Sequence, residues 1–214
     1  MPDKMLLFPG CETILSPDSH LMLGMSLVAM NEQFKLFEAD YSQNGYALLN
    51  EKIRPRIDGS DTPNLSLCEL HRRHGKLGVD RATAFLSHCQ SELLRTTMSA
   101  IRNYVEREEL DVENTFFWLD YVTLRQGKDS NDFVPDFVTR IIGVIGKTVM
   151  LAHPWGSPGP VLRIWCVFEL WSALKKRASL QVPGSRPCRS RHPPDNIDFR
   201  QSTLLLIEVQ DTRR

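Results

Sequence analysis

The sequence predicts an α/β fold, a parallel sheet flanked by helices, over residues 80–180. A partly helical extension is expected before it, over residues 1–79, and a basic loop with an edge strand after it, over residues 181–214. Two observations predict the fold. Three short runs are apolar almost throughout: Thr83-Ala84-Phe85-Leu86, Thr115-Phe116-Phe117-Trp118-Leu119 and Lys147-Thr148-Val149-Met150-Leu151. A segment with apolar residues at helical spacing follows each of them. Strands that are apolar on both faces, separated by helices, form βαβ units in a sheet covered on both sides, joined by right-handed crossovers. The three strands should be parallel neighbours in the spatial order second, first, third.

Before the sheet, residues 20–40 read as a helix, with Leu23, Leu27, Met30, Phe34 and Phe37 on one stripe. Gly, Ser, Asp and Pro between residues 57 and 64 mark a linker, and residues 66–73 a short helix ending near Gly75. Residues 92–108 form the first helix of the domain, with Leu93, Leu94, Met98, Ile101 and Val105 aligned. A polar loop over residues 127–132 precedes a helix over 133–145. Pro154, Gly156, Pro158, Gly159 and Pro160 make a rigid loop before the helix over 163–177. Residues 183–194 are rich in Pro, Ser and Arg and read as a basic loop; Thr203-Leu204-Leu205-Leu206-Ile207 then reads as a strand at the sheet edge.

Composition bounds the function. The 214 residues are 42% hydrophobic and 24% charged, which permits a core and excludes a wholly disordered chain. Lys+Arg and Asp+Glu are both 26, so no basic excess points to nucleic acid. The cysteines Cys11, Cys68, Cys89, Cys166 and Cys188 are odd in number and contain no CxxC pair, so neither a disulfide framework nor a zinc site is expected. The N-terminus lacks a signal-peptide pattern and no apolar run reaches the roughly 20 residues that span a bilayer. A cytoplasmic protein without a membrane partner is the expectation.

In such sheets ligands bind outside the carboxyl ends of the strands. That rule gathers Ser87, His88, Asp120 and the Pro/Gly loop around one crevice. The helix over 163–177 adds a misfit. Its stretch Ile164-Trp165-Cys166-Val167-Phe168-Glu169-Leu170-Trp171 is apolar nearly all round, so it should be mostly buried, and Glu169 is the charged residue within it. A carboxylate there is costly unless it is paired or lines a cavity, and desolvation should raise its pKa. Two readings stand: an acid tied to a backbone amide or to Arg163, or a carboxylate facing the crevice. His88 and Asp120 carry the same duality, as site residues or as a structural histidine and a turn cap. Cys166 and Trp118 read as core, and Trp155, in the Pro/Gly loop, as the candidate for stacking a planar ligand.

Three segments carry a family resemblance. Ala84-Phe85-Leu86-Ser87-His88 resembles the first strand of Toll/interleukin-1 receptor (TIR) domains, with its "FLS" ending. Phe117-Trp118-Leu119-Asp120 resembles their second strand. Arg163-Ile164-Trp165-Cys166-Val167-Phe168-Glu169-Leu170 resembles the "S-x-W-C-x-x-E-L" segment of their αC helix. The resemblance covers about half the chain and is nearest to a divergent protist and algal type. It implies a flavodoxin-like sheet of order 2-1-3-4-5 and one of two functions. Some TIR domains cleave the nicotinamide–ribose bond of NAD⁺ with an αC glutamate, which corresponds to Glu169. Others only associate with themselves or with other TIR-like domains in signalling assemblies. By this resemblance NAD⁺ enters as substrate, no cofactor is needed, and Ser87, His88, Asp120 and Trp155 are the substrate-binding candidates around catalytic Glu169. A phosphate-accepting receiver domain needs an acidic cluster after the first strand, and a dinucleotide-binding Rossmann domain a GxGxxG motif; the chain has neither.

Overall fold

The computed structural model describes residues 19–59, 61, 64–126, 135–153 and 159–181. In chain order the elements are β1 (Leu23–Ser26), α1 (Leu27–Leu36), α2 (Gly45–Ala47), a π-helical turn (Leu48–Ile53), α3 (Arg54–Asp58) and α4 (Leu67–Arg73). Then come β2 (Val79–Arg81), β3 (Ala84–Ser87), α5 (Leu94–Arg107), β4 (Phe116–Trp118), α6 (Asp120–Thr123), α7 (Pro135–Ile145), β5 (Lys147–Met150), α8 (Ile164–Lys175) and β6 (Ser179–Gln181). The fold is α/β. Six strands form one mixed sheet of order β2-β1-β4-β3-β5-β6.

The three strands read as continuous apolar runs are parallel neighbours. β3 pairs with β4 through Ala84 opposite Phe117, and with β5 through Leu86 opposite Val149. β6 continues the parallel array beside β5. Alternate side chains feed two cores, as a strand's period of two requires. Ala84, Leu86, Phe117 and Val149 pack with α1, α4 and α5. Phe85 and Trp118 point the other way, stacked with centroids 4.5 Å apart, and pack with Val138, Ile141 and Ile142 of α7 and Ala173 of α8. Trp118 is core, as its sequence position indicated.

Four expectations need correction. The sheet order is not 2-1-3-4-5, because β1 and β2 join it on the β4 side, both of their pairings antiparallel. The segment before residue 80 is therefore no mere extension: β1 lies inside the sheet with all four residues buried. Residues 20–40 are not one helix, since the chain is extended at Leu23–Ser26 and helical only from Leu27. Ser26 sets that boundary; its side chain accepts the Ala29 amide at 3.2 Å as an N-cap. Gly24 lets β1 approach its neighbours, since a Cβ there would meet Ala82 and the Phe116 backbone at 3.0 Å. Finally, α8 is not mostly buried. It sets Cys166, Ser172 and Ala173 against the sheet and α7, while Ile164 is 81% exposed and Trp171 48%. A helix packed as an outer layer buries one face, whatever the composition of the other.

Other readings hold closely. Residues 66–73 contain α4, opened by a capping box between Ser66 and Glu69. Of the expected stripe α5 buries Leu94, Met98, Ile101 and Val105, together with Thr97 and Tyr104, while Leu93 is its part-buried N-cap residue. Trp155, the polar loop over 127–132 and the strand at Thr203-Leu204-Leu205-Leu206-Ile207 lie outside the described residues. Among the described residues no helix is long and apolar enough to cross a membrane.

Candidate functional site at the carboxyl edge of the sheet

β3 ends at Ser87, the central parallel strand's last residue, whose side chain is buried. Its hydroxyl donates to Glu169 Oε2 at 2.6 Å, across the gap between the sheet edge and α8. The register that makes this possible is fixed on both sides of Ser87. The Leu151 amide donates to the Ser87 carbonyl at 2.8 Å, and Cys166 Sγ donates to the His88 carbonyl at 3.2 Å. Cys166 is thus a buried clamp between α8 and the β3 end; burial pushes its thiol up to about 12, so it is not a thiolate nucleophile.

Glu169 is half-buried and has no cation in ion-pair contact among the described residues. Desolvation pushes its carboxyl up to about 7, against the opposing pull of the Ser87 hydroxyl and of the His88 and Arg163 charges. Arg163, the guanidinium that a structural ion pair would need, hydrogen-bonds Tyr46 instead.

His88 and Asp120 form the second half of the site. His88 Nε2 lies 3.0 Å from Asp120 Oδ1, and the Tyr121 hydroxyl lies 3.3 Å from Nδ1. Burial opposes protonation of His88, yet the Asp120 carboxylate outweighs it and the imidazole pKa is raised. Burial likewise pushes Asp120 up, but His88 and the hydrogen bonds it accepts win, and its pKa is lowered. Those bonds come from the Gln90 side chain and from the Tyr121 amide at 2.7 Å. Asp120 is the hub that ties β4 to the loop after β3.

The structure therefore brings Ser87, His88, Asp120 and Glu169 to one edge of the sheet, with Ser87–Glu169 and His88–Asp120 as directly bonded pairs. It adds residues that sequence reasoning missed. Both carboxylate oxygens of Glu92 are buried with no hydrogen-bond partner, and burial pushes its pKa up to about 7. Residue 92 reads in sequence as an ordinary acid opening a helix, so nothing there signalled a buried one. Tyr46 comes from the N-terminal segment. The Gly45 and Tyr46 amides donate to the Glu92 and Gln90 carbonyls, both at 3.2 Å, which seats Tyr46 beside the loop after β3. No sequence signal marked it, because the contact is long-range. Among the described residues no His, Cys, Asp and Glu cluster could hold a metal ion.

The chemistry available is that of a carboxyl group near its own pKa, oriented by a hydroxyl, beside a histidine–carboxylate pair. Such a group can exchange a proton near neutral pH, accept hydroxyl hydrogen bonds, or stabilise a developing cation. Comparison with known proteins returned no matching family model, no matching curated protein and no matching solved structure.

Proposed function

We propose that the chain is a TIR-like domain that hydrolyses the nicotinamide–ribose bond of NAD⁺, with Glu169 as the acting carboxylate. One observation carries the reading. Glu169 is half-buried at the carboxyl edge of a parallel sheet, bonded to Ser87 rather than to a cation, with its carboxyl pushed up to about 7. In the proposed reaction the C–N bond between ribose and nicotinamide breaks and its electron pair leaves with neutral nicotinamide. The ribose becomes oxocarbenium-like, water adds to its anomeric carbon, and a proton is released with ADP-ribose. Ionised Glu169 faces the developing positive charge or holds the ribose hydroxyls, as carboxylates do in glycoside cleavage. Ser87 positions Glu169; His88 and Asp120 line the same edge and hold the loop that shapes it. The test is incubation of the purified chain with NAD⁺ beside Glu169→Ala. Nicotinamide release by the wild type, lost in the variant, supports the reading; equal release in both removes Glu169 from it.

A second reading, a non-catalytic self-association module, is favoured by a separate observation. Leu162, Ile164, Val167, Trp171 and Leu174 expose apolar side chains on and just before α8. Exposed apolar patches on one element often mark protein–protein contacts. Sedimentation velocity on the wild type and Trp171→Glu tests it, with loss of an oligomer in the variant as the expected result.

A further inference from the structure

We infer a second binding site, in the N-terminal segment, for a small phosphate monoester with an apolar, hydrogen-bond-donating body. It shares no residue with the Glu169 edge and does not depend on the NAD⁺ reading. The site is a cleft of about 470 Å³ between α1, α3, α4 and the turn after α4. That size falls within the range of small-molecule pockets. Buried Phe37, Ile57 and Leu67 supply apolar wall. Arg56, Arg73 and Lys76 line the cleft as exposed cations, with Asp61 as the acid among the lining residues.

Two observations point to that ligand. The first is an unused acceptor in the cleft wall. Gln33 lines the cleft and is only 9% exposed. The Leu77 carbonyl can only accept, so His71 Nε2, 2.6 Å away, carries a hydrogen. His71 Nδ1 then accepts from Gln33 Nε2 at 2.8 Å. That bond leaves Gln33 Oε1 with no hydrogen-bond partner among the described residues, yet not sealed from solvent. An N–H or O–H on a ligand satisfies it. The second observation is charge. Arg56 Nη1 donates to the Leu36 carbonyl at 3.2 Å, and its guanidinium carbon lies 5.3 Å from the Phe37 ring centroid. Among the described residues Arg56, Arg73 and Lys76 form no ion pair. Three cations against one acid leave an excess of two positive charges around the cleft, in a chain whose formal charge is zero. A phosphate monoester carries about 1.5 to 2 negative charges at pH 7, which that excess matches. Cations also suit the ends of α3 and α4. The helix dipole accounts neither for Lys76, beyond the turn at Gly75, nor for the open acceptor of Gln33.

The test is isothermal titration calorimetry on the full chain with AMP, phenyl phosphate, adenosine and inorganic phosphate, with thermal unfolding as the folding control. AMP combines a planar body, an N–H donor and a phosphate, and should bind tightest. Adenosine and inorganic phosphate each lack a part and should bind at least about tenfold more weakly. Raising the salt should weaken AMP binding. The double variant Arg73→Ser, Lys76→Ser changes two exposed positions and should stay folded. It should lose at least about tenfold in affinity for AMP and for phenyl phosphate alike, as expected for lost charge-assisted bonds. Gln33→Met removes the acceptor; it should weaken AMP and leave phenyl phosphate, whose ring offers no donor, unchanged. Glu169→Ala should bind AMP as the wild type does, which separates this cleft from the sheet edge. No AMP binding by the wild type, or unchanged affinity in the folded double variant, would overturn the inference. Loss of AMP binding in Glu169→Ala would overturn it too, by moving the ligand to the other site. If Gln33→Met does not fold, the double variant decides.

Discussion

Replacing Glu169 by Gln should stabilise the folded chain at pH 8 and do little at pH 4.5, because the cost of Glu169 lies in its charge. The carboxyl titrates at about 7 in the fold, against an ordinary 4.5. A folded-state pKa raised in this way contributes stability that is fully present below pH 4.5, where the group is protonated in both states. That contribution is lost as pH rises through 7. At about 1.4 kcal/mol per pKa unit the full difference is about 3 kcal/mol, and screening by the solvent that reaches this half-buried side chain lowers the expectation to about 2 kcal/mol. Gln carries no charge and its amide oxygen can still accept from Ser87, so it escapes the penalty at high pH. Glu92 is raised to about 7 as well, but it is common to both proteins and cancels in their difference. Urea unfolding of wild type and Glu169→Gln at pH 4.5, 6, 7 and 8 measures the gap. The expected result is a gap near zero at pH 4.5 that opens between pH 5 and 7 to about 2 kcal/mol in favour of Gln. Gln less stable than wild type at pH 8, or a gap independent of pH, would refute the argument and return Glu169 to the status of a structural acid.

Three further outcomes follow from the geometry. Asp120→Asn removes the partner of a buried histidine and should cost about 3 kcal/mol at pH 6, read by chemical unfolding; it should also lower the His88 pKa, followed by imidazole NMR, since the Asp120 carboxylate is what raises it. Gly24→Ala drives a Cβ into Ala82 and the Phe116 backbone at 3.0 Å and should cost about 1–3 kcal/mol; a neutral result would mean that β1 is not seated between β2 and β4. Trp171→Glu, on the exposed face of α8, should change stability by no more than about 0.5 kcal/mol, and a large loss would show that this face is covered.

The parallel centre of the sheet was legible because β3, β4 and β5 are apolar on both faces, a pattern few other elements share. The order 2-1-3-4-5 failed at β1, whose residues Leu23 and Met25 sit among Leu27, Met30 and Phe34 and blur into their helical period. Ser26 was the available correction, since a serine opening an apolar run marks a helix start as readily there as Ser66 does for α4. β2 and β6 are three residues each, too short to show alternation. Ser87, His88, Asp120 and Glu169 could be found from two general facts: ligands gather at strand carboxyl ends, and a lone acid in an apolar helix needs a reason. Glu92, Tyr46 and the bond from Arg163 to Tyr46 could not, because their meaning lies in contacts between distant segments. Nor could the exposure of α8 be read, for a helix apolar on every side does not say which side meets the sheet.

The proposed role of Glu169 is to act on a glycosidic bond. The measurement that tests it most directly is nicotinamide release from NAD⁺ by the wild type and by Glu169→Gln at pH 7, with both proteins shown to be folded. Release by the wild type is expected, with a loss of at least about a hundredfold in the variant, the lower end of what one group stabilising developing charge contributes. Equal rates in the two proteins, or no release by a folded wild type at any protein concentration, would contradict it.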